Sequence, residues 1–87
     1  MVADVAREIE QDQPREALDL YMGLARDLIA ERGRGSYVAA ARYLKRVRYL
    51  YRRLGEAETW QKVLDEIVQS NRRLRALQEE LRDAGLL

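Results

Sequence analysis

Ala40, Tyr43, Leu44, Val47, Leu50, Tyr51 and Leu54 follow one another at steps of three, one, three, three, one and three, so every position on one stripe of an α-helix is apolar. A strand alternates with period two and cannot produce this spacing. Residues 36–54 therefore predict a helix that other helices must cover. Two glycines around one arginine, Gly33-Arg34-Gly35, separate it from what precedes, and Gly55 closes it. At the first break the pattern predicts a left-handed glycine cap on the preceding helix, with the Ser36 hydroxyl capping the next.

Three more helical segments are read the same way. Over residues 2–12, Val2, Val5, Ala6 and Ile9 share a face, and Pro14 then stops one helix and suits the first turn of another. Over 14–32 the inner face is Ala17, Leu18, Tyr21, Leu24, Ala25 and Leu28. Over 56–84, Trp60, Ile67, Leu74 and Leu81 recur in sevens with Val63, Leu77 and Ala84 beside them, and Gly85 terminates the row. Glu56 and Glu58 suit the positive end of that helix's dipole. Ser70 and Asn71 interrupt the neighbouring rows, so a bend or break there is the alternative to one long helix. Short connections make sequential helices neighbours. The expectation is one all-α domain over residues 1–87: four helices in two antiparallel α-hairpins, tetratricopeptide-like in shape. Ala17, Ala40 and Ala41 would allow close helix approach. No strict 34-residue repeat and no Trp-Leu-Gly-Tyr pattern is present.

Cysteine and histidine both count zero. A thiol nucleophile, a disulfide, a Cys/His zinc site and a histidine general base are thereby excluded within these residues. The adjacent acids Asp65-Glu66 and Glu79-Glu80 point about 100° apart on a helix and do not converge as an acid–base pair. Gly33-Arg34-Gly35 lacks the preceding strand and the spacing of a phosphate loop. The expectation is a non-catalytic module with no cofactor and no metal. No run of about 18 apolar residues occurs, and Met1-Val2-Ala3-Asp4 carries an early acid, so neither a membrane span nor a signal peptide is expected and a cytoplasmic location is the default.

The run Tyr37 to Trp60, YVAAARYLKRVRYLYRRLGEAETW, followed by Asn71 to Leu86, NRRLRALQEELRDAGL, resembles the helical C-terminal region of bacterial SWIM-type zinc-finger proteins. The matching features are Ala40, Ala41, Tyr43 and Leu44, the Leu50 to Gly55 ending, Trp60 early in the next helix, and a terminal helix that is Arg-rich and then Leu-rich. The likeness covers about residues 15 to 87. It implies a helical module belonging to, or derived from, a larger bacterial zinc-finger protein. The zinc ligands of that family are missing here, so no metal role transfers to any residue.

The net charge is +1 and unevenly placed. In residues 1–31 three arginines face eight acids, leaving −5; residues 32–55 hold eight cations and no acid; residues 56–87 hold five cations and seven acids, leaving −2. On the third helix Arg42, Lys45, Arg46, Arg48, Arg52 and Arg53 fill an arc of about 160° with Tyr49 near its middle. Two readings stand side by side. Arg42, Arg46, Tyr49, Arg52 and Arg53 form a nucleic-acid surface, phosphates on the arginines and a base on the tyrosine; or the flanking acidic helices neutralise the basic one and the remainder is solvated surface. Arg72, Arg73 and Arg75 would extend the patch or form a solvated face.

Length carries the main functional expectation. A third helix of 19 residues spans about 28 Å, whereas an unbroken fourth helix of 29 residues spans about 43 Å, so the part after Leu74 overshoots. Leu74, Leu77, Leu81 and Leu86 then need a cover, at about 1.5–3 kcal/mol per buried leucine. A second copy in a twofold homodimer, a fold-back at Ser70-Asn71, or another part of a parent protein would each supply it. The function expected is protein–protein interaction or oligomerisation through this leucine row, with nucleic-acid binding as the alternative.

Overall fold

The computed structural model describes residues 2–87, and among them it is all-helical, with five helices and no strand. α1 spans Val2–Ile9, α2 Pro14–Glu31, α3 Arg34–Arg53, α4 Ala57–Ser70 and α5 Arg75–Asp83. The apolar stripe of α3 is the centre of the core: Ala40, Leu44, Val47 and Leu50 are fully buried. α3 packs against α2, α4 and α5, and α2 also packs against α1. The α2–α3 contact is the most extensive, so the core runs across the two expected hairpins instead of dividing between them. Tyr21 stacks on Tyr43 with ring centroids 5.9 Å apart, and Tyr51 meets Trp60 at 6.4 Å, so aromatic pairs join α2 to α3 and α3 to α4. No helix among the described residues is long and apolar enough to cross a membrane.

Two boundaries differ from the sequence pattern. α1 ends at Ile9 and not at residue 12, and the Gln13 N–H donates to the Ile9 carbonyl at 2.7 Å. At the glycine break the positive φ falls first on Arg32 (63°) and then on Gly33 (111°), while Gly35 lies inside α3. Ser36 does not cap α3; its hydroxyl donates to Glu31 Oε1 at 3.0 Å. By contrast Gly55 and Gly85 end their helices as the spacing predicts. Each has positive φ, and the next residue's N–H returns to the helix: Glu56 to the Tyr51 carbonyl (2.7 Å) and Leu86 to the Leu81 carbonyl (2.9 Å).

The larger correction concerns the long fourth helix, which breaks. Asn71 turns its side chain onto its own helix, Nδ2 donating to the Ile67 carbonyl at 2.8 Å, and the backbone leaves the helix over residues 71–74. The Asn71 carbonyl then accepts from the Leu74 N–H (2.9 Å) and from Gln78 Nε2 (3.0 Å), which fixes the turn. α5 runs back along α3, where Arg34 meets Glu79 and Glu80. Leu77 and Leu81 are fully buried and Leu86 is buried, all in the common core, and Leu74 is half-buried at the start of α5. The fold-back thus covers within the chain the row expected to overshoot. Leu74, Leu77, Leu81 and Leu86 do not form one exposed partner or dimer face, because Leu77, Leu81 and Leu86 are buried in the common core and Leu74 is half-buried.

Candidate functional site

α3 carries its charge on the arc that faces away from the core, and the two edges of that arc are tied down by different neighbours. On one edge Arg46 forks onto Glu10, Nε to Oε1 at 2.9 Å and Nη2 to Oε2 at 2.5 Å. Arg53 donates to the carbonyls of Glu10 and Gln11, both at 2.8 Å. These carbonyls lie just past the end of α1, where the helix dipole is negative and a guanidinium is favoured. Near the other edge Arg34 pairs with Glu79 at 3.0 Å and Glu80 at 2.8 Å, and Arg48 donates to the Gly85 carbonyl at 3.0 Å, past the end of α5. Arginines of α3 therefore hold the C-terminal ends of both α1 and α5.

Glu10 is the buried charged residue of the core, with 7% of its surface exposed. Burial alone would push its carboxyl up, but the Arg46 hydrogen bonds, the Tyr21 hydroxyl and the positive charges of Arg46 and Arg53 outweigh that and hold it below the usual carboxylate range. The hydrogen bonds to Glu10 push the Arg46 guanidinium up, and burial first, then the carboxylate of Glu10, pushes the Tyr21 phenol up. Sequence reading missed this anchor, although a signal exists. Glu10 follows the buried Ala6 by four residues, just past the end of α1, where a lone carboxylate requires a partner.

Between the tied edges lies a ridge with different chemistry. Arg42, Lys45, Tyr49 and Arg52 step along α3 by three, four and three residues, all exposed. Among the described residues the side chains of Arg42, Lys45 and Arg52 make no ion pair or hydrogen bond. Tyr49 leaves 48% of its surface in water, and the Arg46 guanidinium covers one face of its ring at 4.7 Å. A shallow depression of about 200 Å³ runs from this ridge towards α5, with Arg42 and Lys45 on one side and Glu80 and Asp83 on the other.

The sequence-nominated nucleic-acid surface is therefore divided. Arg46 and Arg53 are engaged with α1, whereas Arg42, Tyr49 and Arg52 remain on the open ridge together with Lys45. Arg72, Arg73 and Arg75 do not extend it, since they lie in and just after the turn between α4 and α5. No group of three or more acidic side chains among the described residues is placed to hold a metal ion.

Comparison with known proteins adds one relative. The chain is 35% identical over 81 residues to a protein of Bacillus subtilis (strain 168) described as "Uncharacterized protein YwqB". The match takes in 93% of this chain but only 15% of the relative's length. No family model matches the chain, and no solved structure matches it.

Proposed function

We propose that the chain is a non-catalytic helical interaction module, a tetratricopeptide-like scaffold that works within or beside a larger protein and docks an acidic protein surface on the outward ridge of α3. One observation carries this reading. Four cations of residues 32–55, namely Arg34, Arg46, Arg48 and Arg53, are engaged inside the molecule, while Arg42, Lys45 and Arg52 stand unpaired around the exposed Tyr49. Arginine and tyrosine are the side chains over-represented in the centres of protein interfaces, and opposite charge on the partner steers encounter. The ridge is mounted on the helix with the most neighbours, so it is pre-ordered before any partner arrives. The much longer Bacillus relative and the resemblance to helical regions of SWIM-type proteins both support a module that meets other protein segments.

Protein is favoured over nucleic acid because Arg46 occupies one face of the Tyr49 ring and, with Arg53, is held by α1, which leaves fewer phosphate contacts and a half-blocked stacking surface. A photo-crosslinking amino acid in place of Tyr49, compared with one in place of the exposed Glu58, tests the proposal in cells. The expected result is a protease-sensitive adduct at position 49 alone, joined to a peptide rich in Asp and Glu and lost in an Arg42→Glu/Arg52→Glu background. A nuclease-sensitive adduct, or equal adducts at both positions, overturns it.

A further inference from the structure

At the end of the molecule where α2 stops and α4 turns into α5, the chain forms a second basic feature, concave where the α3 ridge is convex. A depression of about 350 Å³ is lined by Arg32 from the end of α2, by Gln69 and Ser70 from the end of α4, and by Asn71, Arg72 and Arg73 from the α4–α5 turn. No carboxylate lines it, and Arg32, Arg72 and Arg73 have no ion pair among the described residues. Nearby arginines behave differently: Arg26 pairs with Glu66 at 3.2 Å, and Arg34, two residues beyond Arg32, pairs with Glu79 and Glu80.

Arg32 is also the non-glycine residue with positive φ, at φ 63° and ψ 157°, a region that side chains rarely enter and glycine enters freely. Gly33 follows immediately, so the chain places a guanidinium where glycine would relieve the backbone. The facing wall is held in place by hydrogen bonds of Asn71 with Ile67, Val68, Leu74 and Gln78. Adjoining the basic depression is another of about 380 Å³, which shares Arg32, Asn71 and Leu74 and is walled by Ile29, Ala30 and Ile67. Together they offer a cationic mouth and an apolar floor of the size that small organic ligands occupy.

The geometry points to a binding site for an organic phosphate monoester that carries a flat ring, the chemistry shared by a free mononucleotide and by the 5′-phosphorylated end of a nucleic-acid strand. Arg32, Arg72 and Arg73 receive the phosphate, for which forked guanidinium contacts are strong. Ala30 and Leu74, the apolar groups of the second depression that reach the surface, receive the ring. The site shares no residue with the α3 ridge, so either can fail without the other.

Amide chemical-shift titration of the 15N-labelled chain tests it, with AMP, a 5′-phosphorylated trinucleotide, adenosine, the unphosphorylated trinucleotide and inorganic phosphate as probes. The expected result is saturable shifts at residues 32 and 69–74 with AMP or the phosphorylated trinucleotide, weakened at least about tenfold when the phosphate is absent. Whichever of the two binds more tightly identifies the source. Arg72→Ser/Arg73→Ser should lose the binding with an unchanged far-ultraviolet circular dichroism spectrum. Arg32→Gly should lose about tenfold in affinity while its Tm rises, a pairing that a purely structural arginine would not give. Equal shifts with adenosine, inorganic phosphate as tight as AMP, or full affinity in Arg32→Gly overturns the assignment.

Discussion

Arg46 and Arg42 are four residues apart on one helix and do opposite things. Arg46, with Arg53, reaches the segment that ends α1 and neutralises a carboxylate that would otherwise be buried alone; Arg42, with Lys45 and Arg52, makes no ion pair or hydrogen bond among the described residues. The difference lies in what the neighbouring helices bring to each edge of α3. α1 ends beside Arg46 and Arg53 and offers both Glu10 and free carbonyls, whereas α5 supplies its carbonyl to Arg48 and its acids mainly to Arg34. Of the eight cations in residues 32–55, Arg34, Arg46, Arg48 and Arg53 fasten neighbouring segments, Arg42, Lys45 and Arg52 are left on the ridge for a partner, and Arg32 lies apart at the end of α2.

The comparison can be broken by loosening its frame. Leu81→Ala, at a fully buried position of α5, should cost about 2–5 kcal/mol in urea unfolding and also free Arg48 from the end of α5. An effect under 1 kcal/mol, on that same scale, would mean that α5 is not docked as described. Glu10→Gln comes next: it keeps the shape but removes the charge facing Arg46, and about 1–3 kcal/mol of stability should be lost.

Acid titration sharpens the same point. Because the folded Glu10 carboxyl titrates below its ordinary value, near 4.3 when unfolded, it stabilises the folded state above that pH and its contribution disappears as pH falls through the folded pKa. The gap in stability between the unsubstituted chain and Glu10→Gln should be full at pH 7 and close progressively in the acid range. A gap independent of pH would show that packing, not charge, is what Glu10 contributes. The smallest effect belongs to the ridge: Arg42→Ala, Lys45→Ala and Arg52→Ala should each change stability by no more than about 0.5 kcal/mol.

Much of the helical framework was legible because it rests on local periodicity. The α3 stripe, the proline that opens α2 and the glycine caps at Gly55 and Gly85 all act within a few residues of themselves. The break of the last helix was legible only as an alternative, since Ser70-Asn71 allow a turn but the turn is stabilised by burying Leu77 and Leu81 as α5 packs on α3, a contact between segments distant in sequence. The charged face was legible as a total and not as a division. Which arginines are engaged depends on where α1 and α5 end in space, and neither end is set by the residues of α3. Glu10 had a local signal in its apolar register, whereas the pocket around Arg32 had none, because it joins two chain segments far apart in sequence, the end of α2 and residues 69–74.

Two double variants of equal charge change, Arg46→Glu/Arg53→Glu and Arg42→Glu/Arg52→Glu, test the central division most directly when each is measured by urea unfolding and by photo-crosslinking at position 49. The first should lose about 3 kcal/mol or more, as a buried carboxylate loses its cation and meets a like charge. The second should unfold within about 0.5 kcal/mol of the unsubstituted chain and lose its crosslinked partner. Equal losses of stability in the two variants, or a crosslink that survives Arg42→Glu/Arg52→Glu, would contradict a helix whose cations are divided between fold and partner.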